Sequence, residues 1–266
     1  MKQMTPEERA QNLIYGITDG QYPRYLYKYW NIKSALRFLG NHNIKFSRYD
    51  EFNDPFECAF HLYGNYSDKE AVEYVLKNQN LENNEQARYI ASTFSSNDIK
   101  NLVNDTIKGE ILSSMGMFCL TETPDNLLMW VHYADEHEGV CIKFDLLNDP
   151  YTFSSLVKMN YSSGFMNIDL LKPEKDVVEL LHHKSVDWMY EKEYRILKEV
   201  IGLVEMKPSA ISEIIFGCRT SEKDKMSIKE IVSHYPNYSI DYKQAAMHSS
   251  DYRILIIEEN DKRITK

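Results

Sequence analysis

Several things this chain lacks narrow its chemistry before any motif is weighed. Only four cysteines occur in 266 residues, Cys58, Cys119, Cys141 and Cys218. They are widely separated and form no C-x-x-C or finger-like pair, which removes the usual zinc and dithiol patterns and predicts free thiols in a reducing cytoplasm. Basic residues are also in deficit. With 31 Lys and Arg against 40 Asp and Glu, the formal charge is −9, a balance unsuited to wrapping nucleic acid, whose phosphates require a basic face. No stretch approaches the length of an apolar membrane span, and the first ten residues are polar and charged. The expected location is therefore cytoplasmic, with no membrane partner. No G-x-G-x-x-G, phosphate loop, H-E-x-x-H or G-x-S-x-G is present, so dinucleotide oxidoreductases, phosphate-loop ATPases, zincins and serine hydrolases lose their usual sequence support.

What remains is ample for a core: 43% of residues are hydrophobic and 12% aromatic. Thr5 before Pro6 predicts a capped leading helix. Tyr25 to Trp30 reads as a strand. After it, Ile32, Ala35, Leu36 and Leu39 have helical spacing, with Gly40 as the expected C-cap. Residues 66 to 116 are polar with helical patterning, and Ser67-Asp68-Lys69-Glu70 resembles a capping box, so two or three helices are expected there. Strands follow at Phe118 to Thr121 and Val140 to Phe144, then a helix from Pro173 to His183. Later strands are expected at Glu191 to Val200, Ala210 to Gly217, Ile240 to Lys243 and Tyr252 to Glu258, with a helix from Ser221 to His234. No internal repeat or low-complexity linker is seen. The expected fold class is α+β: one domain over residues 1–266, a central mixed or antiparallel sheet flanked by helices, with a helical insertion at about 66–116.

Side chains with chemistry concentrate in Met129 to Asp145, where Trp130, His132, Tyr133, Asp135, Glu136, His137 and Glu138 crowd one turn-prone segment. Trp130 and Tyr133, three apart, share a helical face and can stack on a ring or plug the core. His132 and His137 are five apart, which is not the i, i+4 spacing of a helical metal pair, so no metal is expected. Three other segments mix aromatic and ionisable residues. One holds Tyr27 and Lys28. Another holds Asn53, Asp54 and Glu57, where Asn53 is expected to form an Asx-turn before Pro55. The third runs from Trp188 to Ile196 and contains Glu191, Glu193 and Arg195. Period-2 alternation puts Glu191 and Glu193 on one side of a strand, with Lys192 and Tyr194 opposite. That side is either a solvent face or a site. The nearby Arg195 favours an ordered site, because arginine beside carboxylates builds fixed ion pairs. His182-His183-Lys184 reads as the exposed end of a helix.

Four blocks, read in order, resemble the bacterial domain of unknown function 2971 family. They are Leu26-Tyr27-Lys28-Tyr29; Asn53-Asp54-Pro55-Phe56-Glu57; Phe118-Cys119-Leu120-Thr121 with Met129 to Asp135 and Gly139; and Trp188 with Tyr190 to Arg195. That resemblance implies no activity. More distantly, Tyr27 on an opening strand, Tyr133 in a central segment and the E-x-E of Glu191 and Glu193 late in the chain are similar to ADP-ribosyltransferases. This second resemblance implies NAD as the donor, a small-molecule nucleotide site, and a protein or nucleic-acid acceptor. Glu193 would be the principal catalytic residue, with Glu191 and His132 assisting. Tyr27, Lys28, Asn53, Asp54, Trp130, Tyr133 and Arg195 would line the ligand site. The first-strand residue in that family is His or Arg, and Tyr27 or Lys28 departs from both. A toxin or phage-defence role would suit such chemistry. Two other classes stand beside it: a non-catalytic ligand- or protein-binding module, and a metal-dependent nuclease using Asp54, Glu57, Asp145 and Glu193.

Overall fold

The computed structural model describes residues 4–63, 66–78, 84–169, 179–235 and 239–259. The first helix, α1 (Pro6–Thr18), starts as expected, with Thr5 and Glu8 forming a reciprocal capping box. It leads to β1 (Tyr25–Trp30) and α2 (Ile32–Asn41). Asn31 caps α2 by accepting from the Ser34 N–H. The helix does not stop at Gly40: it runs through to Asn41 and ends at His42, whose left-handed φ of 55° turns its N–H back to the Phe38 carbonyl. Short strands β2 (Asn43–Phe46) and β3 (Phe60–Tyr63) follow. Then come α3 (Asp68–Asn78), α4 (Asn84–Thr93) and α5 (Ser96–Thr106), the helices expected of residues 66 to 116.

The remaining elements are β4 (Gly116–Thr121), α6 (Leu127–Tyr133), β5 (Val140–Asp145), β6 (Leu156–Lys158), β7 (Asn160–Ser162), β8 (Met166–Asp169) and β9 (His183–Ser185). After these come β10 (Glu193–Lys198), β11 (Gly202–Glu205), β12 (Ile211–Phe216), α7 (Glu222–Ser233), β13 (Asp241–Met247) and β14 (Ile254–Glu258). The helix expected from Pro173 to His183 falls mostly on residues 170–178, outside the described residues. At its end, His183 begins a strand.

Eight strands form the main sheet in the order β14-β13-β12-β5-β1-β4-β10-β6. It is mixed: β12 and β13 run parallel, and the other neighbours are antiparallel. With helices on both faces, the fold is α+β. Strand alternation sorts the side chains. Leu26 of β1, Phe118 and Leu120 of β4, Phe144 of β5, and Tyr194 and Ile196 of β10 pack with α2 and α7 in the main core. Two apolar clusters cover the other face. One joins Tyr29 and Cys141 to Met129 and Trp130 of α6. The other joins Met117 and Leu197 to α3 and α5. Among the described residues, no helix is long and apolar enough to cross a membrane.

Candidate functional site

The main sheet opens at one place. β1 pairs with β5 through six residues, Tyr25 to Trp30, but meets β4 only where Tyr27 faces Thr121. A cavity of about 350 Å³ occupies the opening. Its walls include Tyr27, Lys28 and Tyr29 on one side and Cys119, Leu120 and Thr121 on the other. Successive strand residues point to opposite faces, so contact with three in a row on each strand places the cavity against the strand edges. Phe52 and Asn53 come from the loop before β3, and Met129, His132 and Tyr133 come from α6. Glu51, Lys184, Glu191 and Glu193 complete the lining.

Glu193, the first residue of β10, lies opposite Thr121 of β4, and Thr121 in turn lies opposite Tyr27 of β1. These three therefore share one face across three strands. Glu191 reaches the site differently from the expected strand alternation. It ends a 3-10 turn over Val186–Glu191, and Lys192 then adopts a left-handed φ of 43°. The strand starts two residues later than predicted. Glu191 and Glu193 nevertheless converge, and at 3% and 4% exposure neither lies on a solvent face.

They converge on Lys184, which donates to Glu191 Oε2 at 2.5 Å and to Glu193 Oε2 at 3.0 Å. Arg195, fully buried one pleat further along β10, gives its Nε to Glu193 Oε1 at 2.7 Å. Its Nη1 and Nη2 bond both oxygens of Glu57 at 2.6 and 2.9 Å, a bidentate pair. Nη1 also donates to the Leu181 carbonyl. Tyr133 donates to Glu191 Oε1 at 2.5 Å and accepts from Asn53 Nδ2 at 3.4 Å. The cluster thus holds three carboxylates against two cations.

The surroundings drive the two neighbouring glutamates apart. Burial opposes the Glu193 charge, but the Arg195 and Lys184 cations outweigh burial and hold its carboxyl well below the usual range. Burial and then the Glu193 charge push Glu191 up, with Lys184 opposing. For Lys184 itself, burial would favour the neutral amine, yet Glu193 and Glu191 overcome this and keep it a cation. Burial, with the charge of Glu193 beside it, raises the Cys119 thiol, so this cavity-lining sulfur is not an activated thiolate. Tyr27 is pushed up to about 12, chiefly by burial.

Of the residues singled out from sequence, Glu191, Glu193, His132, Tyr27, Lys28, Asn53 and Tyr133 line the cavity. Lys28 does so at the strand edge, since its ammonium sits 5.0 Å from the Phe118 ring, which packs in the main core. Three others take structural positions. Trp130 is fully buried in the α6 cluster and donates its indole N–H to the Pro124 carbonyl, so it does not face the cavity. Asp54, rather than Asn53, makes the turn at Pro55, accepting from the Phe56 N–H, and Asn53 is free to reach Tyr133. Arg195 underlies the site without lining it. Lys184 is the residue that sequence reading misplaced: it is 7% exposed and central, not the exposed end of a helix. Nothing local marked it, because its partners lie on a later turn and strand. Among the described residues, no group of three or more His, Cys, Asp or Glu side chains is placed to hold a metal.

Residues 129–196 match a family model described as a protein of unknown function, DUF2971. The matched span begins within α6, at Met129, and ends just past Arg195, so it carries Tyr133, Lys184, Glu191 and Glu193 together. No curated protein and no solved structure matches the chain.

Proposed function

We propose that the cavity is the active site of an ADP-ribosyltransferase-like enzyme that uses NAD as donor. One observation carries this reading: two carboxylates stand at one cavity, held by the same lysine, with environments that favour ionised Glu193 and raise the pKa of Glu191. Paired groups separated in this way divide acid–base labour. Glu193, kept anionic, opposes the positive charge that develops on the ribose as the bond to nicotinamide breaks and its electron pair leaves with the ring. Glu191, more basic, takes the proton of the acceptor nucleophile as that atom bonds to the ribose carbon. Tyr27, Tyr133 and His132 form the surrounding pocket. At about 350 Å³, the cavity lies toward the small end of ligand sites, which run from about 300 to 1,000 Å³. That size suits the nicotinamide and its ribose, with the rest of the dinucleotide extending outward.

The acceptor in this reading is a protein or nucleic acid, and the cellular role is that of a bacterial toxin or phage-defence effector acting in the cytoplasm. A nuclease fits less well. Lys184 Nζ occupies the place between Glu191 and Glu193 where a bridging cation would sit, and Asp145 is paired with Arg24 at 2.7 Å. A binding module remains the second reading, favoured by one fact: the Glu193 carboxylate already accepts from Arg195 and Lys184.

The test is an NAD titration by calorimetry with mass-spectrometric detection of nicotinamide, comparing wild type with Glu193→Gln. Binding in both, with release slowed roughly 10²–10³-fold in the variant, is the outcome expected of lost charge stabilisation. Binding without release in the wild type selects the binding module. Absence of both binding and release in the wild type overturns the NAD reading.

A further inference from the structure

Lys184 lies on β9, a three-residue strand whose only partner among the described residues is β7, and in that parallel ribbon Tyr161 and Lys184 are register neighbours. Both reach Glu193. Tyr161 accepts from the Glu193 N–H through its hydroxyl at 2.8 Å, and Met159, the residue just before β7, adds its N–H to the Glu193 carbonyl at 3.0 Å. Lys184 takes the carboxylate. The ribbon therefore holds one residue of the main sheet by its backbone and its side chain together. Trp188 backs the ammonium, 4.9 Å from the ring centroid. The same ammonium bonds Glu191, which sits on a turn with no strand pairing of its own.

We propose that Lys184 is a positioning residue, a clamp carried by the β7–β9 ribbon that fixes Glu193 and Glu191 relative to each other and supplies the charge that lets both stand at one cavity. This rests on the transferase reading for its catalytic consequence but not for its geometry. Without the ammonium, three buried carboxylates would face Arg195 alone, and Glu191, already destabilised by burial and by Glu193, would take up a proton. A protonated Glu191 cannot serve as base. A purely structural lysine would lower activity evenly across pH, whereas a clamp that sets this charge balance must move the acid limb.

The experiment compares the pH profile of nicotinamide release in wild type, Lys184→Met and Lys184→Arg. In Lys184→Met the acid limb is expected to move upward by about one pH unit or more. In Lys184→Arg, which restores the charge, the limb stays at the wild-type position. A limb that stays put in Lys184→Met overturns the proposal. A second measurement is independent of turnover and of the folding of any variant: the 15Nζ resonance of Lys184 in the wild type without NAD. It is expected to exchange slowly and to remain cationic through the ordinary lysine pKa of 10.5. A resonance that titrates like a free lysine overturns the clamp. Failure of the wild type to release nicotinamide removes the transferase reading and leaves the 15Nζ result standing on its own.

Discussion

The two faces of the central strands make opposite use of the same backbone. On β4 and β10, Phe118, Leu120, Tyr194 and Ile196 point into an apolar core with Phe144 and Phe38. Their immediate neighbours Cys119, Thr121, Glu193 and Arg195 point the other way, into a buried ion network. One face is stabilised by surface removed from water, which tolerates volume-conserving exchange. The other depends on every charge having its partner, because an unpaired buried ion costs more than a lost contact. The lesson is that burial here separates two kinds of order: one face fixes the sheet, and the other fixes the orientation of a few ionised groups.

The largest effect expected from breaking this contrast comes from Arg195. Arg195→Met leaves Glu57 buried without its bidentate partner and removes one of the two cations at Glu193. The expected loss is about 3–5 kcal/mol, readable by urea denaturation. Phe118→Ala on the opposite face should cost a similar amount, about 3–5 kcal/mol, by leaving a cavity. The two differ in rescue. Adding Glu57→Met to Arg195→Met removes the stranded carboxylate and should recover a large part of the stability, because buried ion pairs exchange well for apolar groups of similar volume. If the double variant is no more stable than Arg195→Met alone, the ionic face is not governed by charge pairing.

A smaller effect separates the faces by pH. The folded pKa of Glu193 lies below its ordinary value of 4.5, so its contribution to stability is fully present above that value and is lost as pH falls below it. Glu191 has the opposite sign: with its folded pKa raised above 4.5, it contributes stability at low pH that fades as pH rises through the folded value. Denaturation at pH 7 and pH 3 should show the wild type losing more stability on acidification than Glu193→Gln, while Phe118→Ala keeps the wild-type slope. Equal slopes in wild type and Glu193→Gln would falsify the ion-paired assignment of Glu193.

The apolar face was far easier to read in the sequence than the ionic one. Strand β1 matches its expected bounds, and α7 follows its Ser221 signal, because local alternation and capping residues set both. The aromatic and acidic density of 129–145 and 188–196 likewise led to α6 and β10. The hidden part is the set of long-range pairings. Glu57 is bonded to Arg195 across 138 positions of chain, and no local pattern announces such a partner. Lys184 is separated from Glu191 by only seven positions, but the left-handed Lys192 and the 3-10 turn bring them together, and neither follows from periodicity. The same break explains why an E-x-E read as one strand face is in fact a turn residue and a strand residue meeting at a lysine.

The finest expected effect concerns Tyr133, where the ionic network meets the cavity. Its hydroxyl donates to Glu191 while Asn53 donates to it, so Tyr133→Phe removes one bond from a carboxylate that keeps its lysine. The stability cost should be only about 1 kcal/mol. The consequence for protonation is clearer than the cost. The Tyr133 bond favours the ionised form of Glu191, so its removal should raise the carboxyl further, whereas Glu193, which has no bond to Tyr133 and is held by both Lys184 and Arg195, should hardly respond. Carbon-13 titration of the two carboxyls would read both at once. An upward move of Glu191 with Glu193 still would show that the cavity-facing tyrosine tunes one member of the pair alone; equal movement of both would mean that the pair titrates as one unit and that the division between base and charge stabiliser does not hold.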